Sequence, residues 1–425
     1  MWPICCYGPP TSIRNSWTIC RQRKWRPLAT TVFTSSLHSK RFVMTRKRLC
    51  FITTVPMAVT AFLRLHIERL ADDYDVFVIS NYGGEVLPQS ERVTYLSVPL
   101  AREISPLADM KTLFQLVRLF RRHRFDVVHS VTPKAGLLGM LAARVAGVPV
   151  RVHWFTGQVW VTRTGLGRFV LKSADKLIAA AASHLLADSP SQRDFLLAES
   201  VCRAGAIEVI GDGSICGVDG ERFRPDPEAR ARVRKEHGIP GDAAVVLFLG
   251  RLNTDKGLRE MAEAMLLLDK RFPALHWLVV GPDEGGMVEH VRSVAGCLGE
   301  RLHFQGFTRE PEAYMAAADV FCLPSYREGF GSSVLEAAAA GVPSVATRIY
   351  GLTDAVEDGV SGLLVPPVNV PELAGALQRL LDEEEMRLVM AQAARSRALE
   401  RFSRERIVEG LSAFYQRIFI QRNKA

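Results

Sequence analysis

Short apolar runs alternate with amphipathic stretches from Arg48 almost to the end of the chain. The first-half runs are RLCFITT, YDVFVIS, RVTYLSV, FDVVHS, VPVRVHW and HLLADS, with amphipathic stretches over residues 59–71, 107–123, 135–146 and 167–182. Buried strands that alternate with helices are typical of βαβ units, whose strands run parallel. This pattern predicts a doubly wound α/β sheet.

A second series of the same kind begins at AVVLFLG and continues through LHWLVVG, RLHF, DVFCLP, PSVAT and GLLVP. Between the two series lies VIGDGSICGVDGERFRPDPE (residues 209–228), whose Gly, Asp and Pro content is typical of a linker. We expect two Rossmann-like domains that face each other across a cleft and bind ligands at the carboxyl ends of their strands. The predicted domains are residues 44–220 and 221–403, followed by an amphipathic segment over 404–425.

The first 43 residues differ in composition from the rest of the chain. They hold seven Lys or Arg and no acidic residue, so removing them from the total charge of +9 leaves a body of charge +2. Because the body is nearly neutral, its charge gives no indication of nucleic-acid binding. Met44 begins MTRKRLCFITTVP, a natural start, and we interpret residues 1–43 as a disordered leader or a spurious extension.

Nothing in the sequence indicates a membrane span or a metal site. Each apolar run is shorter than the roughly 18 residues of a span, and the cysteines lack metal-ligand spacing. The segment KTLFQLVRLFRRHR (residues 111–124) is amphipathic and cationic, with two interpretations. It is either a helix that lies on anionic headgroups or an ordinary sheet-covering helix whose cations face water. We therefore expect a cytoplasmic protein, with peripheral contact to the inner face of the membrane as an open hypothesis.

The segment SYREGFGSSVLEAAAAG (residues 325–341) carries the strongest chemical signal. Glu328 and Glu336 are eight positions apart across a Gly-Phe-Gly turn that leads from a buried strand into a helix. A glycine turn at a helix N-terminus binds anions through free main-chain N–H groups, and carboxylates accept hydrogen bonds from sugar hydroxyls. The layout predicts a site for a sugar that is joined to a nucleotide by a diphosphate.

A basic loop follows the first strand of the second series. Arg251 and Lys256 come directly after VVLFLG, and Gly257 opens the next helix. Two cations at a strand end are suited to hold a diphosphate, although surface cations in a solvated loop would give the same pattern. The presence of the two motifs in one domain favours the diphosphate interpretation.

The Glu-x7-Glu segment together with GRLNTDKG resembles family 4 of the retaining glycosyltransferases, which have the GT-B fold. TTVP, TPKAGLLG and FTGQVW resemble bacterial enzymes of capsule, O-antigen and exopolysaccharide assembly. The resemblance implies that the last helix crosses back to the first domain. It also implies that no metal and no cofactor is needed, because the nucleotide-diphospho-sugar is itself the donor substrate.

The resemblance assigns a role to each motif residue. Arg251 and Lys256 would hold the donor diphosphate and offset charge on the leaving group. Glu336 would accept hydrogen bonds from the ribose, and Glu328 would meet the transferred sugar. Main-chain amides would approach the diphosphate in the turn formed by Gly329, Phe330, Gly331 and Ser332.

Three residues in the first half complete the expected site. His153 lies at the end of the strand VPVRVHW and matches a family histidine near the reacting sugar, although strand histidines are often core residues. His129 and Lys134, in DVVHSVTPKAG, lie at the end of another strand, and Lys134 would meet an acceptor phosphate. The loop TTVPMAVT, with Pro56, lacks the Gly-Gly of many family members, so the resemblance does not assign the details of the nucleotide-binding loops.

The functional hypothesis is a retaining hexosyl- or N-acetylhexosaminyltransferase of bacterial surface polysaccharide synthesis. It would move a sugar to a glycan or a polyprenyl-diphosphate-linked acceptor. A non-catalytic GT-B partner subunit and a nucleotide-sugar 2-epimerase remain as alternatives. A nicotinamide dehydrogenase has no support, because no G-x-G-x-x-G follows the first strand of either domain.

Overall fold

A computed structural model describes residues 46–84, 87–101, 103 and 105–424. Within these residues the chain forms two parallel sheets, one of seven and one of six strands, each flanked by helices. The prediction of two doubly wound α/β domains is therefore confirmed. The interpretation of residues 1–43 lies outside the described part of the chain.

The first sheet has the spatial order β3-β2-β1-β4-β5-β6-β7. The chain order reverses between β1 and β4, so the carboxyl ends of the central strands open onto a crevice. The short strand β7 had no counterpart in the sequence prediction. The strands β1–β7 are Arg48–Ile52, Asp75–Ser80, Val93–Ser97, Val127–Ser130, Val150–Phe155, His184–Ala187 and Ile207–Val209.

The second sheet has the order β10-β9-β8-β11-β12-β13, and each of these strands was predicted. Strands β8 and β11 are hydrogen-bonded neighbours at the point where the order reverses. The loops that follow them carry the basic motif and the Glu-x7-Glu motif, so the topology brings the two motifs together. The strands β8–β13 are Val245–Leu249, His276–Val280, Leu302–Gln305, Val320–Leu323, Ser344–Thr347 and Gly362–Val365.

Helices cover both faces of each sheet. A π-helical turn, Val59–Leu63, follows α1, and 3₁₀ turns occupy Thr254–Lys256 and Gly296–Arg301. The helices α1–α15 are Pro56–Ala58, Arg64–Leu70, Pro106–His123, Pro133–Ala146, Gly165–Ala181, Pro190–Ala198, Pro227–Glu236, Leu258–Asp269, Met287–Ala295, Pro311–Ala317, Ser332–Ala339, Leu352–Ala355, Val370–Asp382, Glu384–Phe402 and Arg404–Lys424.

The last helix, α15, packs on the first domain. Its residues Ile407, Leu411, Phe414 and Tyr415 are buried in one core cluster with residues of β1, β2 and β5. Helices α3, α4 and α5 lie side by side on the opposite face of that sheet, over a separate cluster. The first sheet is thus covered on one side by α2 and α15 and on the other by α3–α5.

The two connections between the domains run side by side. The Val218 N–H donates to the Phe402 carbonyl at 2.8 Å, and the Arg404 N–H donates to the Val218 carbonyl at 3.0 Å. Gly217 has φ +61°, and a Cβ there would lie 2.7 Å from the Arg404 Cα. Glycine at this position therefore lets the outgoing and returning segments form a short paired hinge.

Candidate active site

The loop that joins β11 to α11, residues 324–331, is called the Glu328 loop. Phe330 is almost fully buried and packs against Phe402, with ring centroids 5.1 Å apart. Gly331 has φ +88°, and a Cβ there would lie 2.4 Å from the Leu352 side chain. A buried aromatic anchor and a glycine in the left-handed region fix the loop directly before the helix. The free N–H groups of the first turn of α11 therefore lie at the loop.

Glu328 and Lys256 form a half-buried ion pair that joins the two sequence motifs. The Lys256 Nζ lies 2.5 Å from the Glu328 Oε1, with the two side chains 17% and 12% exposed. The Ser325 hydroxyl donates to the same Oε1 at 2.7 Å. Gly257 has φ +68°, and a Cβ there would lie 2.0 Å from the Pro324 carbonyl oxygen. Only glycine lets the basic loop lie against the Glu328 loop in this way.

Arg251 lies at the rim of the site. Its guanidinium forms an ion pair with Glu284 at 2.8 Å, and its side chain is 48% exposed. Exposed ion pairs are worth about 0–1 kcal/mol, so this pair is easily exchanged for a bound anion. The structure brings Lys256, but not Arg251, into direct contact with Glu328.

Glu336 lies on α11, one turn beyond the Glu328 loop. Burial raises the pKa of its carboxyl to about 7, the charge of Arg222 opposes the shift, and Glu312 adds to it. Part of the side chain is still accessible. The nearby Ser332 hydroxyl lies 3.7 Å from the Cys216 Sγ of the first domain. The first turn of α11 therefore lies where the two domains meet.

His153, two residues before the carboxyl end of β5, is held from three sides. Its Nδ1 lies 2.8 Å from the Ser130 Oγ, and its ring packs edge-on against Phe155 at 4.5 Å. A Cβ on Gly136 of α4 would lie 2.5 Å from the His153 Cε1. Burial lowers the pKa of His153 to about 3, so the imidazole is neutral at physiological pH.

The two weaker candidates of the first domain have protein partners. His129 is fully buried between Phe51 and Trp154, and its Nδ1 lies 2.5 Å from the Tyr415 hydroxyl. Its side chain therefore offers no surface to an acceptor in this structure, and its contacts are those of a packing residue. Lys134 forms an ion pair with Asp109 at 2.7 Å. A role for Lys134 in binding the acceptor stays a prediction.

The loop after β5 closes on the Glu328 loop from across the cleft. A Cβ on Gly157 would lie 3.2 Å from the Gly329 amide nitrogen, so the two glycines are in backbone contact. The Gln158 N–H donates to the Tyr350 hydroxyl at 3.2 Å, and the Tyr350 ring stacks on Phe195 at 4.6 Å. Sequence reasoning missed these contacts, because they join residues more than 150 positions apart in the chain.

The N-terminus of α6 forms a second contact between the domains. The Ser191 hydroxyl donates to the Asp354 carboxylate and accepts from the Gly351 N–H at 2.8 Å. The Ser191 N–H donates to the same carboxylate at 3.0 Å. Together with the Gly157–Gly329 contact, these bonds give the closed arrangement of the cleft.

Asp188 is a further carboxyl group at the cleft that the sequence prediction missed. It directly follows β6, and its Oδ2 would lie 2.6 Å from a Cβ on Gly329. The segment HLLADS was interpreted as a strand, and an Asp at a strand end carries no distinctive spacing. Among the described residues, no group of three or more His, Cys, Asp or Glu is placed to hold a metal ion.

These features define a class of enzyme, because paired Rossmann-like domains here close around a Lys–Glu pair at a helix N-terminus. The model for glycosyl transferases group 1 matches residues 229–397, and that for the glycosyl transferase 4-like domain matches residues 58–213. A D-inositol 3-phosphate glycosyltransferase from Saccharomonospora viridis is 33% identical over 310 residues, which cover 69% of this chain and 70% of the relative. The chain belongs to this glycosyltransferase family and is a glycosyltransferase.

Two bacterial relatives match over greater length. The capsular polysaccharide biosynthesis glycosyltransferase CapM of Staphylococcus aureus is 27% identical over 374 residues, 88% of this chain and 97% of CapM. The UDP-Gal:alpha-D-GlcNAc-diphosphoundecaprenol alpha-1,3-galactosyltransferase of Escherichia coli is 27% identical over 353 residues, 81% of this chain and 89% of that enzyme.

Solved structures of other enzymes share the fold. Sucrose-phosphate synthase from Thermosynechococcus elongatus has a TM-score of 0.76 at 23% identity and covers 88% of this chain and 100% of its own. HepE from Anabaena, solved with UDP and glucose, has a TM-score of 0.71 at 20% identity, with 87% and 99% covered. These similarities establish the GT-B fold of the chain.

Proposed function

We propose that this enzyme transfers a hexosyl or N-acetylhexosaminyl group from a nucleotide-diphospho-sugar to a lipid-linked glycan of bacterial surface polysaccharide. The observation that carries the proposal is the Lys256–Glu328 pair beneath the closed contact of Gly157 with Gly329. The relatives CapM and the diphosphoundecaprenol galactosyltransferase support the polysaccharide context by the activities that their names state.

In the proposed complex the second domain binds the donor. The diphosphate would lie against the N–H groups of the first turn of α11 and beside Lys256, so that both supply positive potential. Glu336 would accept hydrogen bonds from the ribose hydroxyls. Because this potential acts where charge develops on the leaving diphosphate, we propose that the reaction needs neither a metal nor another cofactor.

We propose a front-face mechanism that retains the anomeric configuration. The bond between the sugar C1 and the diphosphate oxygen breaks, and the acceptor oxygen bonds to C1 on the same face. The acceptor hydroxyl proton passes to the leaving diphosphate oxygen, so charge and atoms balance. Glu328 is held by Lys256 and Ser325. A carboxylate held in this way is suited to position the sugar and is less suited to act as a nucleophile. His153, as a neutral imidazole, would hydrogen-bond a sugar hydroxyl.

The acceptor side of the proposal includes peripheral contact with the inner face of the cytoplasmic membrane. Phe114 on α3 and Phe169 on α5 are 67% and 69% exposed, on the outer surface of the α3–α5 layer. Residues 106–181, which hold this layer, contain twelve Lys or Arg but three Asp and no Glu, whereas the whole body from Met44 onward has a net charge of only +2. A surface that combines exposed aromatic groups with cations fits an anionic lipid bilayer. No helix within the described residues is long and apolar enough to cross a bilayer.

The proposed activity is tested by incubating the protein with a panel of nucleotide-sugars in EDTA and measuring the nucleoside diphosphate released. We expect release from one donor, stimulation by a polyprenyl-diphosphate-linked glycan, and loss in Lys256→Ala and Glu328→Gln. Lys270→Ala is the matched control, because Lys270 is an exposed lysine of the same domain. Binding without turnover would favour a partner subunit, and an epimerised free nucleotide-sugar would favour a 2-epimerase.

Membrane contact is tested separately by sedimentation with vesicles that contain or lack phosphatidylglycerol. We expect Phe114→Ser with Phe169→Ser to lower binding to the anionic vesicles. Phe307→Ser is the matched control, because Phe307 is 66% exposed but lies in the second domain. Equal binding of all variants would refute the surface assignment.

A further inference from the structure

Asp188 is a carboxyl group at the contact between the two domains, and no step of the proposed reaction uses it. Its main chain is fixed, because its N–H donates to the Gln192 Oε1 at 2.6 Å and its carbonyl accepts from the Ser214 N–H at 2.7 Å. The residue is 4% exposed, and its Oδ1 is buried without a hydrogen-bond partner. The Oδ2 lies against the Glu328 loop, because a Cβ added to Gly329 would lie 2.6 Å from it.

The charges around Asp188 do not compensate an ionised carboxylate. The cations of the neighbouring loops have other partners, since Lys256 pairs with Glu328 and Arg327 pairs with Asp255. The charged group that acts on Asp188 is the Glu328 carboxylate, which repels a second negative charge. A buried carboxylate without a counter-charge is costly, so a carboxyl in this position takes up a proton.

Burial raises the pKa of Asp188 to about 7, a hydrogen bond from the Ile215 main chain opposes the shift, and the charge of Glu328 adds to it. Cys216, which belongs to the first domain like Asp188, faces both Asp188 and Glu336, and burial raises the pKa of its thiol to about 12. The thiol is therefore neutral. Glu336 is the other carboxyl nearby that titrates close to neutrality.

We propose that Asp188 is a positioning residue whose proton is required for the cleft to close and for the donor loop to accept an anionic ligand. In an open cleft, water would hydrate the Asp188 carboxyl and return it to its ordinary acidity. In the closed cleft, the carboxyl lies against Gly329 and stays protonated. The part of this inference that concerns the donor rests on the proposed function, whereas the part that concerns closure does not.

The direction of the pH effect follows from this difference. Because the closed form binds the proton more tightly than the open form, acid favours closure. The preference for the closed form over the open form decreases as the pH rises from the ordinary carboxyl range to about 7. The decrease is at most about tenfold per pH unit. The pH effect of Glu336 on donor binding has the opposite sign. Ribose hydroxyls that donate hydrogen bonds to Glu336 favour its ionised form, so the Glu336 carboxyl releases a proton when the donor binds.

Small-angle X-ray scattering of the ligand-free protein at pH 5.5 and pH 8 tests the closure directly. We expect the radius of gyration of the wild type to increase at pH 8, and that of Asp188→Asn to stay at its value for pH 5.5. Asp194→Asn is the matched control, because Asp194 is an exposed aspartate on α6 that pairs with Arg193. It should behave as the wild type. Equal responses of Asp188→Asn and the wild type would overturn the proposal, and Asp188→Ser gives the same comparison if the asparagine variant does not fold.

Calorimetric titration with UDP-glucose, in two buffers of different ionisation enthalpy, extends the test to the donor. The wild type should take up more protons per bound ligand than Asp188→Asn, by up to about half a proton near pH 7, because a carboxyl with a pKa of about 7 is half protonated there. An identical proton balance in the two proteins would overturn the coupling to the donor. If the wild type bound no nucleotide-sugar of a full panel, the proposed function would fail, while the scattering result would still decide the role of Asp188 in closure.

Discussion

The substitution Gly329→Ala tests the contribution of cleft closure without changing a residue that is proposed to act in the chemical step through its side chain. Gly329 is not among the glycines with positive φ, so alanine fits its backbone. The added Cβ would lie 2.6 Å from the Asp188 Oδ2, 3.0 Å from the Gly157 N and 3.2 Å from the Thr156 carbonyl carbon. All three atoms belong to the first domain. The strain therefore falls on the closed arrangement and leaves the fold of each domain intact.

The size of the effect follows from the cost of overpacking. Inserting a methyl group into a tight contact typically costs about 1–3 kcal/mol, which corresponds to roughly a 5- to 150-fold loss of the closed form. We expect kcat/KM for the donor to fall by that factor, with a melting temperature close to that of the wild type.

Gly285→Ala is the control for this substitution, because Gly285 has no atom within 4 Å of its ideal Cβ and no positive φ. It should leave both quantities unchanged. Wild-type kcat/KM in Gly329→Ala would refute the argument that turnover passes through this closed contact. A loss in both variants would show that the assay responds to any added methyl group in these loops.

Three further substitutions test other parts of the site. Lys256→Ala should lower kcat by about 10²- to 10³-fold in a steady-state assay, because the positive charge that stabilises the leaving diphosphate is lost. A change in KM alone would contradict that role. His153→Asn should lower the rate but keep the shape of the pH–rate profile from pH 5 to 9, because burial holds the pKa of His153 at about 3. Loss of one limb of that profile in the variant would contradict a neutral imidazole. Gly257→Ala should lower the melting temperature, because left-handed strain and the 2.0 Å contact with the Pro324 oxygen together cost about 2–5 kcal/mol, and an unchanged melting curve would refute that geometry.

The sequence was informative where function depends on local patterns. Strands buried on both faces read as continuous apolar runs, so the strands of the second sheet were predictable. The turn around Gly331 and the loop before Gly257 could be recognised because each combines glycine with charged residues directly after a strand. The three-residue strand β7 was missed, since so short a run does not differ from a loop.

Contacts between residues that are far apart in the chain could not be predicted from the sequence. His129 resembled a ligand-binding residue at a strand end, but α15, 286 positions later in the chain, brings Tyr415 to its ring. Asp188 gains its properties from Gly329 and Glu328, which belong to the other domain. Burial and pKa are set by the neighbours that tertiary packing supplies, and periodicity does not specify which neighbours those are.

The paired hinge at Val218 and Arg404 gives this fold the topology of an inserted module. Because α15 returns to the first domain, the second domain enters and leaves that domain through two adjacent segments that are hydrogen-bonded to each other. A chimera would therefore need two junctions a few ångströms apart, with both ends of the exchanged segment already side by side. On the proposed assignment of donor binding to the second domain, replacing the segment between residues 219 and 403 with that of a relative would exchange donor preference and leave the first domain and its last helix unchanged.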